Sequence, residues 1–199
     1  MRKKAYFDES PEHYADLMAE TIGRVGLVTK DGYARIIPVN FVEQKQIIYF
    51  HGALEGEKYE LFCSNPKVTF QIEKAYSLIP SYWLGEKNGC AATIFYKSLF
   101  ARGTGRMVDD RAEKFMALQL LMEKDQSEGG YLPFHIDEPL YQKITDQTGV
   151  YRLDLTMVDM KIKFGQNRSD TVRRDLIDKL KKRGTPLDLA TASEIEKTL

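Results

Sequence analysis

The period of apolar positions changes several times along the chain, and each change marks an element. Ser10-Pro11-Glu12-His13 has the features of a helix start. Ser10 can cap, Pro11 suits the first turn and Glu12 complements the positive helix end. This helix is predicted to run to about Glu20. Ile22 to Thr29 reads as a strand, and Lys30-Asp31-Gly32 as a hairpin turn, because glycine adopts the required positive φ without a steric penalty. The return strand is Tyr33 to Val42, and a turn at Glu43-Gln44-Lys45 leads into a third strand from Gln46 to His51.

A short helix follows from about Glu57 to Ser64, ended by Asn65-Pro66, since a residue before proline avoids helical geometry. Lys67 to Ala75 is the next strand, and Ile79 to Asn88 reads as an irregular loop. Ala91 to Val108 is a long β-rich run in which Gly103 and Gly105 predict a bulge or sharp bend. Asp110 and Glu113 have capping-box spacing before a helix carrying Phe115, Met116 and Leu120. A loop at 129–133, a short helix from Leu140 to Thr148 and a strand from Val150 to Phe164 complete this part. Hairpin-linked strands with inserted helices imply an α+β, mainly β fold of the antiparallel barrel kind.

Composition narrows the function classes. The 199 residues carry 29 Lys/Arg and 29 Asp/Glu, so the formal net charge is zero, against a general nucleic-acid binder. No apolar run is long enough for a membrane span, and the basic start turns polar without the apolar core of a secretory signal. Two cysteines, Cys63 and Cys90, without CxxC spacing exclude a disulfide framework and suit a reducing cytoplasm. The C-terminal part differs. Lys161 to Arg183 holds nine Lys/Arg against three Asp, with Val172, Leu176, Ile177 and Leu180 at helical spacing. This predicts a basic terminal helix packed through its apolar stripe. A nucleic-acid contact through Arg173, Arg174 and Lys179 to Arg183 is the competing reading.

Standard catalytic motifs are missing. Gly103-Thr104-Gly105 lacks the third glycine of a dinucleotide fingerprint and lies in a strand pattern, and His13, His51 and His135 have no metal-ligand spacing. Two segments stand out. In Arg35-Ile-Ile-Pro-Val-Asn-Phe41, Pro38 marks an edge or a break, where freed backbone groups and the Asn40 amide can meet a planar heterocycle, or simply end a strand. In Tyr49-Phe-His-Gly-Ala-Leu-Glu-Gly-Glu-Lys58, a strand runs through two glycines into a helix start. The helix end can take an anion, with Lys58 as ligand, whereas Glu55 and Glu57 weigh against it. Tyr82 and Trp83 are aromatics for a ligand cover or for packing.

The order IIPVNF, IIYFHGALEGEK, NPKVTFQIE, Cys-Ala-Ala-Thr-x-x-Tyr-x-Ser and Gly-Thr-Gly-Arg-Met-Val-Asp-Asp resembles the nitroimidazole-resistance-like branch of the pyridoxamine-phosphate-oxidase-like flavoproteins, over about residues 10–163. The resemblance implies an FMN-binding split β-barrel, antiparallel and Greek-key-like, with flanking helices. It implies a homodimer with FMN at the subunit interface. On that basis residues 1–164 form the flavin domain and 165–199 a helical basic tail. Carried over, Ile37, Pro38, Val39 and Asn40 line the isoalloxazine edge, His51, Gly52 and Ala53 lie beside the flavin, Lys58 meets the phosphate, and Tyr96 and Ser98 add contacts from the same or the partner chain. The activity implied is an FMN-dependent reductase of small molecules, nitroaromatics included, using NAD(P)H, with His51 as proton donor or substrate orienter. A non-catalytic flavin sensor and a haem- or deazaflavin-binding barrel are the alternatives. Pyridoxamine-phosphate oxidation is not expected, because that enzyme's arginine-rich C-terminal segment is missing.

Overall fold

A computed structural model of the protein describes residues 4–85 and 87–199; the basic start at 1–3 and Glu86 of the predicted loop lie outside the described residues. Among the described residues the strands are β1 (Phe7–Asp8), β2 (Ile22–Val28), β3 (Ala34–Asn40), β4 (Val42–Gln44), β5 (Ile47–Gly52), β6 (Lys67–Ile79), β7 (Thr93–Met107) and β8 (Gly149–Lys163). The helices are α1 (Pro11–Met18), α2 (Glu57–Ser64), α3 (Arg111–Asp125), α4 (Pro139–Gln147), α5 (Asp170–Arg183) and α6 (Pro186–Glu196). One sheet has the order β3-β2-β6-β7-β8-β5-β4, with β1 also on β8. The end strands β3 and β4 are not bonded to each other, so the barrel is split rather than closed.

The predicted elements recur with instructive shifts. The first hairpin closes with Thr29 N–H on Tyr33 O at 2.9 Å, and Gly32 has φ 88°. The second turn is not at 43–45. Strand β4 continues to Gln44, and Lys45 and Gln46 turn with φ 53° and 64°. A two-residue hairpin follows the strand twist only with positive φ at both positions, and Glu43 supports it by accepting Gln46 N–H at 2.6 Å. Strand β6 extends four residues past Ala75 into the predicted loop. Strand β7 runs unbroken through both glycines, which serve close approach instead. A Cβ on Gly103 would lie 1.9 Å from Asp154 O, and one on Gly105 2.6 Å from the Phe62 ring. Asp110 caps α3 by accepting Glu113 N–H at 2.7 Å, but the Glu113 carboxylate does not complete the box. It takes Tyr49 OH at 2.8 Å and Arg152 at 2.5 Å instead.

Two compact units divide the chain. One comprises residues 1–17, 73–99 and 159–199, the other 18–72 and 100–158. In the first, Leu176, Ile177 and Leu180 of α5 are buried, as the apolar stripe predicts, together with Ile195 of α6. Helix α6 went unpredicted although Thr185-Pro186-Leu187-Asp188 carries its start signal, and both halves of the capping box form. Much of the tail's charge is used internally. Arg173 is buried and donates to Thr198 O at 2.8 Å and Ile195 O at 3.2 Å. Arg183 pairs with Asp188, which also accepts Ser77 OH at 2.5 Å. The Arg183 pair holds the Asp188 carboxyl well below the usual carboxylate range. Lys97 of β7, 1% exposed, lies 2.7 Å from Asp16 of α1 and 2.8 Å from Glu194 of α6.

In the second unit, Val42, Tyr49, Leu118, Leu121 and Val150 form a core between α3 and strands β4, β5 and β8. Two stability outcomes follow. Lys97→Met takes the shared cation from two carboxylates, which keep Lys74 and Lys197, and is expected to lose about 2 kcal/mol in urea unfolding. Gly103→Ala puts its methyl on a backbone oxygen that cannot rotate away, and is expected to destabilise at least as much by the same measurement.

Candidate functional site

The site grows from two strand ends in the second unit. Strand β3 is an edge of the sheet, paired only with β2. The phase of that pairing is set by the bonded couple Thr29–Tyr33, and the register places Pro38 opposite Arg24. Alternation then makes Ile37 and Val39 the residues bonded to β2 and turns Ile36, Pro38 and Asn40 outward. A proline, which has no N–H, tolerates only the outward position. The free edge thus offers the Pro38 carbonyl and the Asn40 backbone and amide, whereas the Ile37 and Val39 backbones are engaged in the ladder. An open groove of about 570 Å³ borders the same strand at Ile36, lined also by Lys67 and Arg102 and by none of the sequence-predicted site residues.

The second strand end is β5. Strand β4 covers it only as far as Tyr49, so His51 and Gly52 are paired on one side alone, with Val150 and Gly149 of β8. The turn that follows is backed by β8. Tyr151 OH donates to Ala53 O at 2.6 Å, and a Cβ on Gly149 would come within 3.1 Å of that same oxygen. Gly56 then enters α2 with φ 86° and ψ 175°, a conformation reserved for glycine, and no side chain caps the helix. Glu60 N–H returns to Gly56 O at 3.0 Å, while the earlier N–H groups of the first turn have no side-chain partner.

Lys58 folds back across this turn. A Cβ on Gly52 would lie 2.3 Å from Lys58 Nζ, so the ammonium rests in the space that this glycine leaves. The ammonium stands 5.0 Å from the Tyr151 ring centroid and 5.8 Å from that of Phe50. These rings, stacked 4.8 Å apart, are its neighbours, and no carboxylate pairs with it among the described residues. Burial lowers the ammonium below its ordinary value. Glu57, which on sequence grounds weighs against an anion here, is drawn off to Arg35 of β3 at 2.7 Å. His51 is lowered too, first by burial and then by the Lys58 charge, with Asp125 opposing. The imidazole is therefore neutral at neutral pH, and it can donate one hydrogen bond and accept another.

Asp125 is the residue the sequence did not reveal. It ends α3, accepts Asn40 Nδ2 at 3.1 Å and acts on His51, so it joins the two strand ends. Its neighbour Lys124 donates to Met18 O, Glu20 O and Phe41 O at 2.8–2.9 Å and holds the chain directly after Asn40. Burial pushes that ammonium down to about 8. No local motif marks either residue; only the docking of α3 brings them to β3.

The structure thus gathers Asn40, His51, Gly52 and Lys58 in one unit, with Pro38 on the same free strand edge as Asn40 and Ala53 in the turn behind. Tyr96 and Ser98 belong to the other unit. There the Tyr96 ring lies between Lys161 and Lys163, 5.2 Å and 5.5 Å from their ammonium groups. Trp83, in that unit too, stacks under the Arg183 guanidinium at 4.6 Å, and Tyr82 is 72% exposed.

Comparison with known proteins places this geometry in a lineage. Residues 9–162 match the family profile described as pyridoxamine 5′-phosphate oxidase. Among solved structures, a nitroimidazole antibiotic resistance protein from Bacteroides thetaiotaomicron is similar with a TM-score of 0.63 at 18% identity, over 78% of this chain and 86% of that one. The flavocytochrome Anf3 from Azotobacter vinelandii gives 0.67 at 15% identity, over 82% and 72%. A FAD- and haem-binding protein from Mycobacterium smegmatis gives 0.67 at 16%, over 84% and 78%. At these identities the likeness is one of fold. No curated protein sequence matches the chain.

The electrostatics predict a titration. Followed by NMR, His51 should titrate below the ordinary value of 6.5. Lys58→Met should move the midpoint up, though not fully to 6.5, because burial is the larger cause. A neutral-favouring site is occupied without penalty above pH 6.5. Stability contributed by this residue is lost as pH falls from there through the lowered midpoint.

Proposed function

Because the chain belongs to the pyridoxamine 5′-phosphate oxidase family, we propose that it is an FMN-binding flavoprotein that reduces small flat acceptors, nitroaromatic compounds among them, with a nicotinamide dinucleotide as electron donor. The observation that carries the reading is Lys58, a half-buried cation without a carboxylate at a glycine-led, uncapped helix start. Such a place is matched to a terminal phosphate through both its charge and its free N–H groups.

The residues fit the rest of a flavin. The free edge of β3 presents an acceptor at Pro38 and both donor and acceptor groups at Asn40, suited to the alternating polar edge of a heterocycle. Asp125 accepts one of the two Asn40 amide hydrogens and so fixes which way the amide oxygen and the second N–H face. Gly52 and Ala53 keep the strand end low enough for a flat ring. The flavin, when bound, supplies the electron chemistry. The chain's part is to bind, orient and control protons. His51, held neutral, orients an acceptor by donating a hydrogen bond in preference to acting as a strong acid. We further place Tyr96 and Ser98 against the flavin of a partner subunit, which requires a homodimer. The name of one structural neighbour includes haem and another is called a flavocytochrome, and the same absorption spectrum that tests for flavin tests for haem.

The decisive experiment compares FMN with riboflavin, which lacks the phosphate. Purified protein is expected to retain FMN through desalting with a two-banded flavin spectrum. Lys58→Met should weaken FMN about ten- to a hundredfold, as expected for a charge-assisted bond, and leave riboflavin nearly unchanged. Equal loss for both ligands would remove Lys58 from the phosphate site, and a single intense haem band, or no retained flavin, would overturn the cofactor. His51→Ala should keep FMN binding yet lower nitroaromatic turnover with NAD(P)H; full turnover would remove its role.

A further inference from the structure

Residues outside the family-matched segment complete a second pocket. In the first unit a cavity of about 200 Å³ is lined by twelve residues. Half of them, Tyr6, Lys163, Gly165, Asn167, Arg168 and Leu176, lie outside the segment that matches the family profile. The cavity is thus made by additions at both ends of the barrel sequence.

Its walls are of two kinds. Phe95 and Leu176, both buried, form an apolar side. Across from it stand polar groups: Thr93, which takes a hydrogen bond from Lys163 Nζ, Asn167, which takes Tyr6 OH at 2.5 Å, and the guanidinium-bearing Arg168. No carboxylate is among the described residues that line it. Like Arg174 and Lys182, Arg168 keeps its side-chain charge unpaired among the described residues, and of these three it alone lines the cavity. Arg173, Lys179, Lys181 and Arg183 each bond to a carbonyl or carboxylate of the chain, whereas Arg168 has no hydrogen-bonded or ion-paired side-chain partner among the described residues. The cations are felt inside. Burial lifts the Tyr6 phenol above its ordinary value, and Arg168 and Lys161 oppose the lift.

We propose that this cavity is a binding site for a small organic monoanion, an aromatic or branched carboxylate whose apolar body lies on Phe95 and Leu176 and whose charge meets Arg168 and Lys163. A guanidinium takes a carboxylate through two parallel bonds, and an apolar wall beside it adds affinity that an inorganic anion cannot use. The site is independent of the flavin reading.

Cys90 makes the test local. It lines the cavity, it is free, and Cys63 is a second exposed free thiol that does not line it. In the full chain as purified, benzoate is the probe and inorganic phosphate the comparison. Calorimetry is expected to show benzoate binding tighter than phosphate. Arg168→Met should weaken benzoate about tenfold or more, and Arg174→Met, an exposed charge on the same tail, should not. By mass spectrometry, the rate of alkylation by iodoacetate relative to neutral iodoacetamide should be higher at Cys90 than at Cys63, and benzoate should protect Cys90 alone. This second measurement needs no variant. The proposal falls if benzoate leaves Cys90 labelling unchanged, if benzoate affinity survives Arg168→Met, if the Arg174 variant loses as much, or if phosphate binds as well as benzoate.

Discussion

A half-buried ammonium must find compensation, and at Lys58 the protein supplies none of the usual kind. Its head rests in the space left by Gly52, beside Tyr151 and Phe50, and the adjacent Glu57 carboxylate is paired with Arg35. The energetic consequence spreads through the neighbourhood. His51 is kept neutral by the same burial and the same charge, and the N-terminal turn of α2 is left uncapped beside them. A cation held in this way is partly desolvated in advance, so an incoming phosphate gains more from it than from a lysine in water.

That poise needs a rigid frame, and the frame is built from close backbone approaches rather than from extra bonds. Gly149 and Tyr151 of β8 press on the turn after β5, Gly103 lets β7 lie against the Asp154 carbonyl, and Lys124 fastens three carbonyls, two ahead of β2 and one just past the end of β3. Three donors matched to three acceptors satisfy a buried ammonium that would otherwise be costly. Asp125, one residue on, is thereby fixed at Asn40.

The first unit handles charge differently. Part of its tail's basic charge is used inside the fold, where Arg173 and Arg183 are bonded to carbonyls and to Asp188, and Lys97 of β7 lies between Asp16 and Glu194. Arg168 is left unpaired, and the cavity beside it is the feature of the tail that points outward to a ligand.

What the sequence determined by itself was local. The Asp-Gly hairpin, the helix over Glu57–Ser64 and its stop at Asn65-Pro66, the cap at Asp110, the edge position of Pro38 and the buried stripe of α5 all follow from φ preferences, missing donors and period, which act over a few residues. The split barrel and the grouping of Asn40, His51 and Lys58 were legible only through the resemblance of ordered motifs, and the strand order was not legible at all. The tertiary structure alone decided the rest. Gly103 and Gly105 read as a break in sequence and prove to be contact points, because the atom that needs their room, such as Asp154 O, lies some fifty residues away. Asp125 and Lys124 carry no motif, and their role comes from where α3 docks. The divided charge of the tail was invisible for the same reason: a pair such as Lys97–Glu194 is set by distance in space, and distance along the chain says nothing of it.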